Sequence, residues 1–301
     1  MKRHGLYKAA ILVFMISGSV FAQNPDLTGV NILTHRVSEK IHMLEASGDV
    51  AGNIAVLSGP EGILLVDTQF AELSESIRKA LAEIYAGPIE FIINTHYHDD
   101  HADGNAGLRD PNTTIIASEN ARKRSAQRVH KAQADITFDS SMSLFFNGEE
   151  LQLIHLPNGH TDTDVVVYFK NSGVLHLGDL YNAGISSFPN VDLEAGGTLT
   201  GLVENIGVLI KMVPAEAKII PGHYELSNLD GLKACHKMLV DTIRFVKEKK
   251  EAGITLEAIK KGGFPEKYRA WGQTGYTNAE AWIENIYRGL EEQPEGKRSK
   301  D

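Results

Sequence analysis

The sequence predicts an α/β fold in which two β-sheets are layered between helices. Short runs rich in β-branched residues come in two batches, each mixed with amphipathic helical patterns. No Pro/Gly/Ser-rich linker, low-complexity tract or short repeat divides the chain. The first batch holds "NIAVLS" (53–58), "GILLVD" (62–67), "EFIINT" (90–95) and "TTIIAS" (113–118). The second holds "LQLIHL" (151–156), "VVVYF" (165–169), "GVLHLGD" (173–179) and "AKIIPGH" (217–223). Several are bounded by Gly, Pro or Asn, as strands usually are. Within 71–85, Leu73, Ile77, Leu81 and Ile84 share one helical face, and 200–213 and 229–250 are similarly amphipathic. Near the end, Thr277 and Glu280 stand in capping-box spacing ahead of a stripe of Trp282, Ile283, Ile286, Tyr287 and Leu290. That stripe is expected to pack on the chain's own core rather than to form a dimer face.

The chain has 301 residues, 42% of them apolar and 23% charged, an ordinary globular composition with enough length for a sizeable core. Its first segment differs. Lys2, Arg3 and Lys8 precede the apolar run Ala9–Phe21, and Val20-Phe21-Ala22 suits a cleavage site. We read 1–22 as a signal peptide, too short in its apolar run to span a bilayer, and 23–301 as the mature domain with a helical C-terminal extension. An exported, periplasmic location without a membrane anchor follows from that reading. The 39 Asp+Glu outnumber the 30 Lys+Arg, three of which leave with the leader, so phosphate backbones are repelled and nucleic acid is not an expected partner. Cys235 is the only cysteine, which excludes an internal disulfide, and its helical context marks it as a buried side chain.

The chemistry concentrates at "INTHYHDDH" (93–101), where His96, His98, Asp100 and His101 follow an apolar strand. Alternate residues of an extended segment point the same way, so His96 and His98 can reach one ion together. Asp100 and His101 lie past the bend, where a helix is expected at "HADGNAGL", and can face a second ion. His160 in "PNGHTD", Asp179 in "HLGDLY" and His223 in "IPGHYE" each sit at a strand end. Ligands from several strand ends are how α/β folds gather a site at one sheet edge. Imidazole and carboxylate suit divalent ions, zinc above all, with manganese or iron as alternatives. His96, His98 and His160 would form one open site, Asp100, His101 and His223 the other, and Asp179 could bridge them. Such a pair holds water as hydroxide at neutral pH and polarises a carbonyl.

The "HYHDDH" stretch followed by "GHT", "GD" and "PGH" resembles the metallo-β-lactamase fold superfamily, whose pattern is His-x-His-x-Asp-His, then His, Asp and His. The match spans roughly 45–225 and fills all seven metal positions. The resemblance implies an αββα sandwich with two zinc ions per chain in the groove between the sheet edges. It implies a hydrolase of a lactam, lactone, ester or thioester acting on a small molecule, with Asp100 orienting the attacking hydroxide. Asp67 resembles the family's bracing residue behind the metal loop, and Asp164 is a further supporting candidate. The main lactamase subclass carries Cys at the place of Asp179 and Lys at that of Asn182. A second subclass shares the Asp100–His101 pair but lacks a ligand at 179. The Asp bridge is more like glyoxalase II and lactonases, yet Lys260, Lys261, Lys267 and Arg269 give no convincing glutathione site. Tyr181, Asn182 and Phe70 are the expected substrate contacts. On the same scaffold, an iron oxidoreductase similar to persulfide dioxygenase is the alternative. His98 stands against the flavodiiron pattern, which has Glu there.

Overall fold

The structure is a computed structural model and describes residues 25–126 and 132–292; the leader 1–22 and His130 lie outside these. The first sheet takes seven strands in chain order: β1 (Ile32–Arg36), β2 (Ile41–Ala46), β3 (Ile54–Gly59), β4 (Gly62–Val66), β5 (Ile89–Ile93), β6 (Thr114–Ser118) and β7 (Ile136–Phe138). The strands β1 to β4 are an antiparallel meander, and β4 to β7 run parallel. Parallel neighbours need crossovers, which are supplied by α1 (Ser74–Ile84), by α2 (Asp99–Ala102) with α3 (Asn105–Leu108), and by α4 (Glu119–Ser125). Every residue of β4 is buried, as a strand covered on both faces must be.

The second sheet has six strands: β8 (Ser141–Phe146), β9 (Glu149–His155), β10 (Val165–Phe169), β11 (Val174–His176), β12 (Lys218–Ile220) and β13 (Ser227–Asn228). All its pairs are antiparallel except β11 with β12, which α5 (Leu199–Met212) connects. Then follow α6 (Leu229–Glu251), α7 (Leu256–Gly262) and α8 (Ala279–Glu292).

Three apolar clusters define four layers. Met43, Leu57, Leu64 and Ile93 of the first sheet meet Leu153, Val167 and Phe169 of the second. The outer face of the first sheet packs on Leu73, Ile77 and Leu81. The outer face of the second packs on Leu202, Ile206, Leu232, Leu239, Trp282 and Ile286. This is the αββα arrangement, two mixed sheets flanked by helices, and the stripe on α8 lies in that last cluster. The helix starts one residue later than the capping-box spacing suggested. Asn278 Oδ1 accepts from Ala281 N at 2.9 Å, while Thr277 is tied to the loop around Phe188, its carbonyl accepting from Phe188 N at 2.9 Å. Among the described residues, no helix is long and apolar enough to cross a membrane.

Candidate metal centre

Both sheets end their strands at the same edge, and backbone bonds tie the two edges together. Asn53 N donates to Gly222 O at 2.7 Å and Val165 N to Thr95 O at 2.6 Å. Past the end of β5 the chain bends at Thr95, His96 and Tyr97, is extended at His98, and turns at once into α2, whose first turn carries Asp100 and His101. The helix therefore begins at Asp99, ahead of the "HADG" start expected. Behind it stands Asp67, fully buried, with a left-handed backbone at φ 68°. Its carboxylate accepts from Thr95 N and Thr95 Oγ1, both at 2.7 Å, and meets His101 Nδ1 at 2.8 Å. A non-glycine residue in this conformation is held by its surroundings and is common at functional sites.

The four strand-end loops bring seven side chains into one cluster. His98 Nδ1 lies 3.1 Å from His96 Nε2 and 3.0 Å from His160 Nε2. On the other side, Asp100 Oδ2 lies 3.2 Å from His223 Nε2 and 3.6 Å from His101 Nε2. Asp179 stands between the two. Its Oδ1 is 3.2 Å from His101 Nε2 and 3.5 Å from His223 Nε2, and its Oδ2 is 3.6 Å from His160 Nε2. His96, His98 and His160 form one group of donor atoms able to hold an ion, Asp100, His101 and His223 another.

These spacings fit metal ions rather than hydrogen bonds. Four donors arranged tetrahedrally at about 2.0–2.1 Å from an ion are about 3.3 Å from one another. His101 Nε2 and Asp179 Oδ1 are buried, yet neither has a hydrogen-bond partner among the described residues. Buried polar atoms are normally satisfied, so two orphans facing each other mark a place for a cation. Glycines leave room for the cluster: a Cβ on Gly52 would come within 2.2 Å of His101, and one on Gly222 within 2.1 Å of Asp179 Oδ1.

The charge is divided unequally. Burial, with the neighbouring imidazoles of His101 and His98, holds His96 well below the usual histidine range. Burial likewise lowers His98, against the pull of Asp192. Burial opposes the charged form of His101 too, but Asp179, Asp100 and Asp67 outweigh it and raise His101 well above that range. His223 is raised by Asp179 and Asp100 in the same way, against its burial. Burial works against the Asp179 and Asp100 carboxylates, and the imidazoles beside them still hold both below the ordinary carboxylate range. One side is thus an all-imidazole pocket suited to neutral donors, the other a carboxylate-rich one.

A sequence profile described as the metallo-beta-lactamase superfamily matches residues 47–223, more than half the chain. The chain belongs to the metallo-beta-lactamase superfamily. A hydroxyacylglutathione hydrolase of Synechococcus sp. (strain JA-2-3B'a(2-13)) is 32% identical over 163 residues, covering 52% of this chain and 58% of that one. The chain spans about half the length of the curated relatives it matches. Among solved structures, a metallo-beta-lactamase from Pontibacter korlensis aligns with a TM-score of 0.58 at 22% identity, over 70% of this chain and 100% of that one. The stereoselective inverting sec-alkylsulfatase Pisa1 from Pseudomonas sp. aligns with a TM-score of 0.70 at 14% identity, over 86% of this chain and 50% of that one. The solved structures share the fold, and this chain carries a His/Asp cluster able to hold metal ions.

In this member of the metallo-beta-lactamase superfamily, outer partners orient the imidazoles. His160 Nδ1 meets Asn190 O at 2.7 Å, His96 Nδ1 meets Thr95 Oγ1 at 3.1 Å, and His98 Nε2 meets Asp192 Oδ2 at 3.0 Å. Tyr97 Oη also donates to Asp192 Oδ2, at 3.1 Å. Asp192 and Asn190 were not singled out in the sequence; "PNVDLE" carries no periodicity or spacing that would mark them. Asp164 does not touch a ring. It accepts from Thr161 N and Thr161 Oγ1 and so braces the loop bearing His160, and burial pushes its carboxyl up to about 6.

Two of the three expected substrate contacts, Tyr181 and Phe70, are buried. Tyr181 is 2% exposed, packs in the core of the second sheet, and its hydroxyl bonds Ser227 Oγ at 2.7 Å, which leaves it no free face. Phe70 is buried in the core of the first sheet. An apolar ring beside a site gains more from packing than from water, so both follow the hydrophobic effect inward. Asn182 is partly exposed, with a buried Oδ1 that has no hydrogen-bond partner among the described residues.

Proposed function

We propose that the protein is an exported hydrolase that uses two zinc ions to cleave a carbonyl-containing bond in a small molecule. The lactam, lactone, ester and thioester are the bonds in view. The observation that carries this is the position of Asp179, whose two oxygens divide between the two groups of ligands. A carboxylate so placed suits a pair of ions, with His96, His98 and His160 holding one and Asp100, His101 and His223 the other. Bound there, the ions would supply an acidified water and electrophilic polarisation of a carbonyl.

The chain's own groups do the rest. The Asp100 carboxylate is kept anionic by His101 and His223 and is partly open to solvent, so it can accept a hydrogen bond from the attacking water and orient it. Asp67, Asp192 and the Asn190 carbonyl fix the rings of His101, His98 and His160, so little reorganisation is needed when charge develops. The hydrolase-named relative supports a thioester among the candidate bonds. The basic, apolar and small-residue order of residues 1–22 supports export.

The test is a hydrolysis panel of a penicillin, a carbapenem, a lactone and a thioester with protein purified without added metal, then after chelation, then reloaded with zinc. Turnover of at least one compound that vanishes on chelation and returns with zinc is expected. Turnover that survives full demetallation would overturn the reading.

A further inference from the structure

Beside His223 lies a cavity of about 280 Å³ lined by Gly48, Asp49, Tyr224, Thr274, Gly275 and Tyr276. The rings of Tyr224 and Tyr276 each lie 6.2 Å from that of His223, so the cavity opens directly next to the metal cluster. We propose that it binds an ammonium group of the substrate, between the Asp49 carboxylate and the face of Tyr276. The inference rests on the hydrolase reading for its substrate but not for its binding chemistry.

Four features point to a cation. Asp49 is half-buried, and its carboxylate has no hydrogen bond or ion pair among the described residues. The turn between β2 and β3, left-handed at both Gly48 (φ 82°) and Asp49 (φ 54°), places it in the wall. Burial, Glu45 and Glu225 press against the charge on Asp49 and outweigh the attraction of His223, which makes the cavity a poor place for a second anion. No Lys or Arg lines the cavity.

The aromatic side is also prepared. Tyr276 is 65% exposed, yet its hydroxyl donates to Val50 O at 3.1 Å, which fixes the ring in the cavity wall. A fixed ring face next to a carboxylate is the usual arrangement for holding an ammonium group. Tyr224 is 5% exposed and its hydroxyl is buried, so it contributes wall to the cavity and no polar contact. Gly275 lies against that hydroxyl, within 2.2 Å of where a Cβ would stand. Two divalent ions nearby would repel a cation, but Asp67, Asp100 and Asp179 offset most of their charge.

The test uses the zinc-loaded protein and three esters that differ only at the end of the acyl chain: a primary amine, its N-acetylated counterpart and a carboxylate. The amine is expected to show about ten-fold higher kcat/KM than the N-acetyl ester, mainly through KM, the size of one charge-assisted contact. Asp49→Asn is expected to bring that ratio close to one. Tyr276→Leu is expected to lower it, and Tyr276→Phe, which keeps the ring but loses its tie to Val50, to lower it less. Calorimetry with n-butylammonium and with butyrate reads the cavity without turnover: saturable binding of the ammonium alone, lost in Asp49→Asn, is expected. A ratio of one in the wild type, or a ratio unchanged by Asp49→Asn in a variant with the same melting curve, would overturn the proposal. If no ester is cleaved, the hydrolase reading falls and calorimetry decides the cavity by itself, absence of ammonium binding overturning it.

Discussion

Asp67 shows how one carboxylate can organise a site it does not enter. It holds Thr95 by two bonds and His101 by a third, so the strand end and the first turn of α2 share one anchor. Asp67→Asn keeps the shape but weakens the charge on His101, and is expected to lower metal affinity about 10- to 100-fold in a chelator competition. An unchanged affinity would show that the contact only shapes the loop. At this scale the ligands were readable in the sequence because each stands at the end of an apolar run. Their supports were not. Asp192 and Asn190 come from an irregular loop and meet the cluster only through the tertiary fold.

Elements add a second level. Strands covered on both faces, such as β4, β10 and β11, appear as continuous apolar runs and were legible. The strands β1, β8 and β13 lie at sheet edges, with polar and exposed positions along them, and β7 has three residues; none carries a pattern that stands out. On the helical side, Trp282 of α8 is fully buried, and its Nε1 donates to Thr242 Oγ1 of α6 at 3.1 Å. Trp282→Ala would leave a large void and remove the bond to Thr242, costing about 3–5 kcal/mol in urea unfolding. A loss below about 1 kcal/mol would mean that α8 contributes little to the core.

Also on α6, Asp241 accepts from Lys267, Lys237 and Tyr268, which hold its carboxyl well below the ordinary carboxylate range. Because the folded value is depressed, this contribution is present above the unfolded value near pH 4 and fades as the pH falls through and below it. Wild type is therefore expected to outlast Asp241→Asn at pH 7, with the gap narrowing toward pH 3 in thermal melts. A gap that is constant with pH would show that the carboxylate's charge plays no part.

For the whole molecule, the four layers matter because they place the ends of two sheets at one edge. The sequence already showed two batches of strands and helices, but not that residues 271–277 return to cover the site. That segment is tied to the loop after Asp179 by Gly272 N to Ile185 O and Gly275 N to Ser186 O, at 2.9 and 2.7 Å. Glycine-rich and without periodicity, it carried no signal of this role. The central claim is that one carboxylate, Asp179, joins two ion sites. Metal analysis of the full chain reads it directly: the wild type is expected to hold two ions per chain, and Asp179→Ala one or none. A single ion in the wild type, or two retained by the variant, would contradict it.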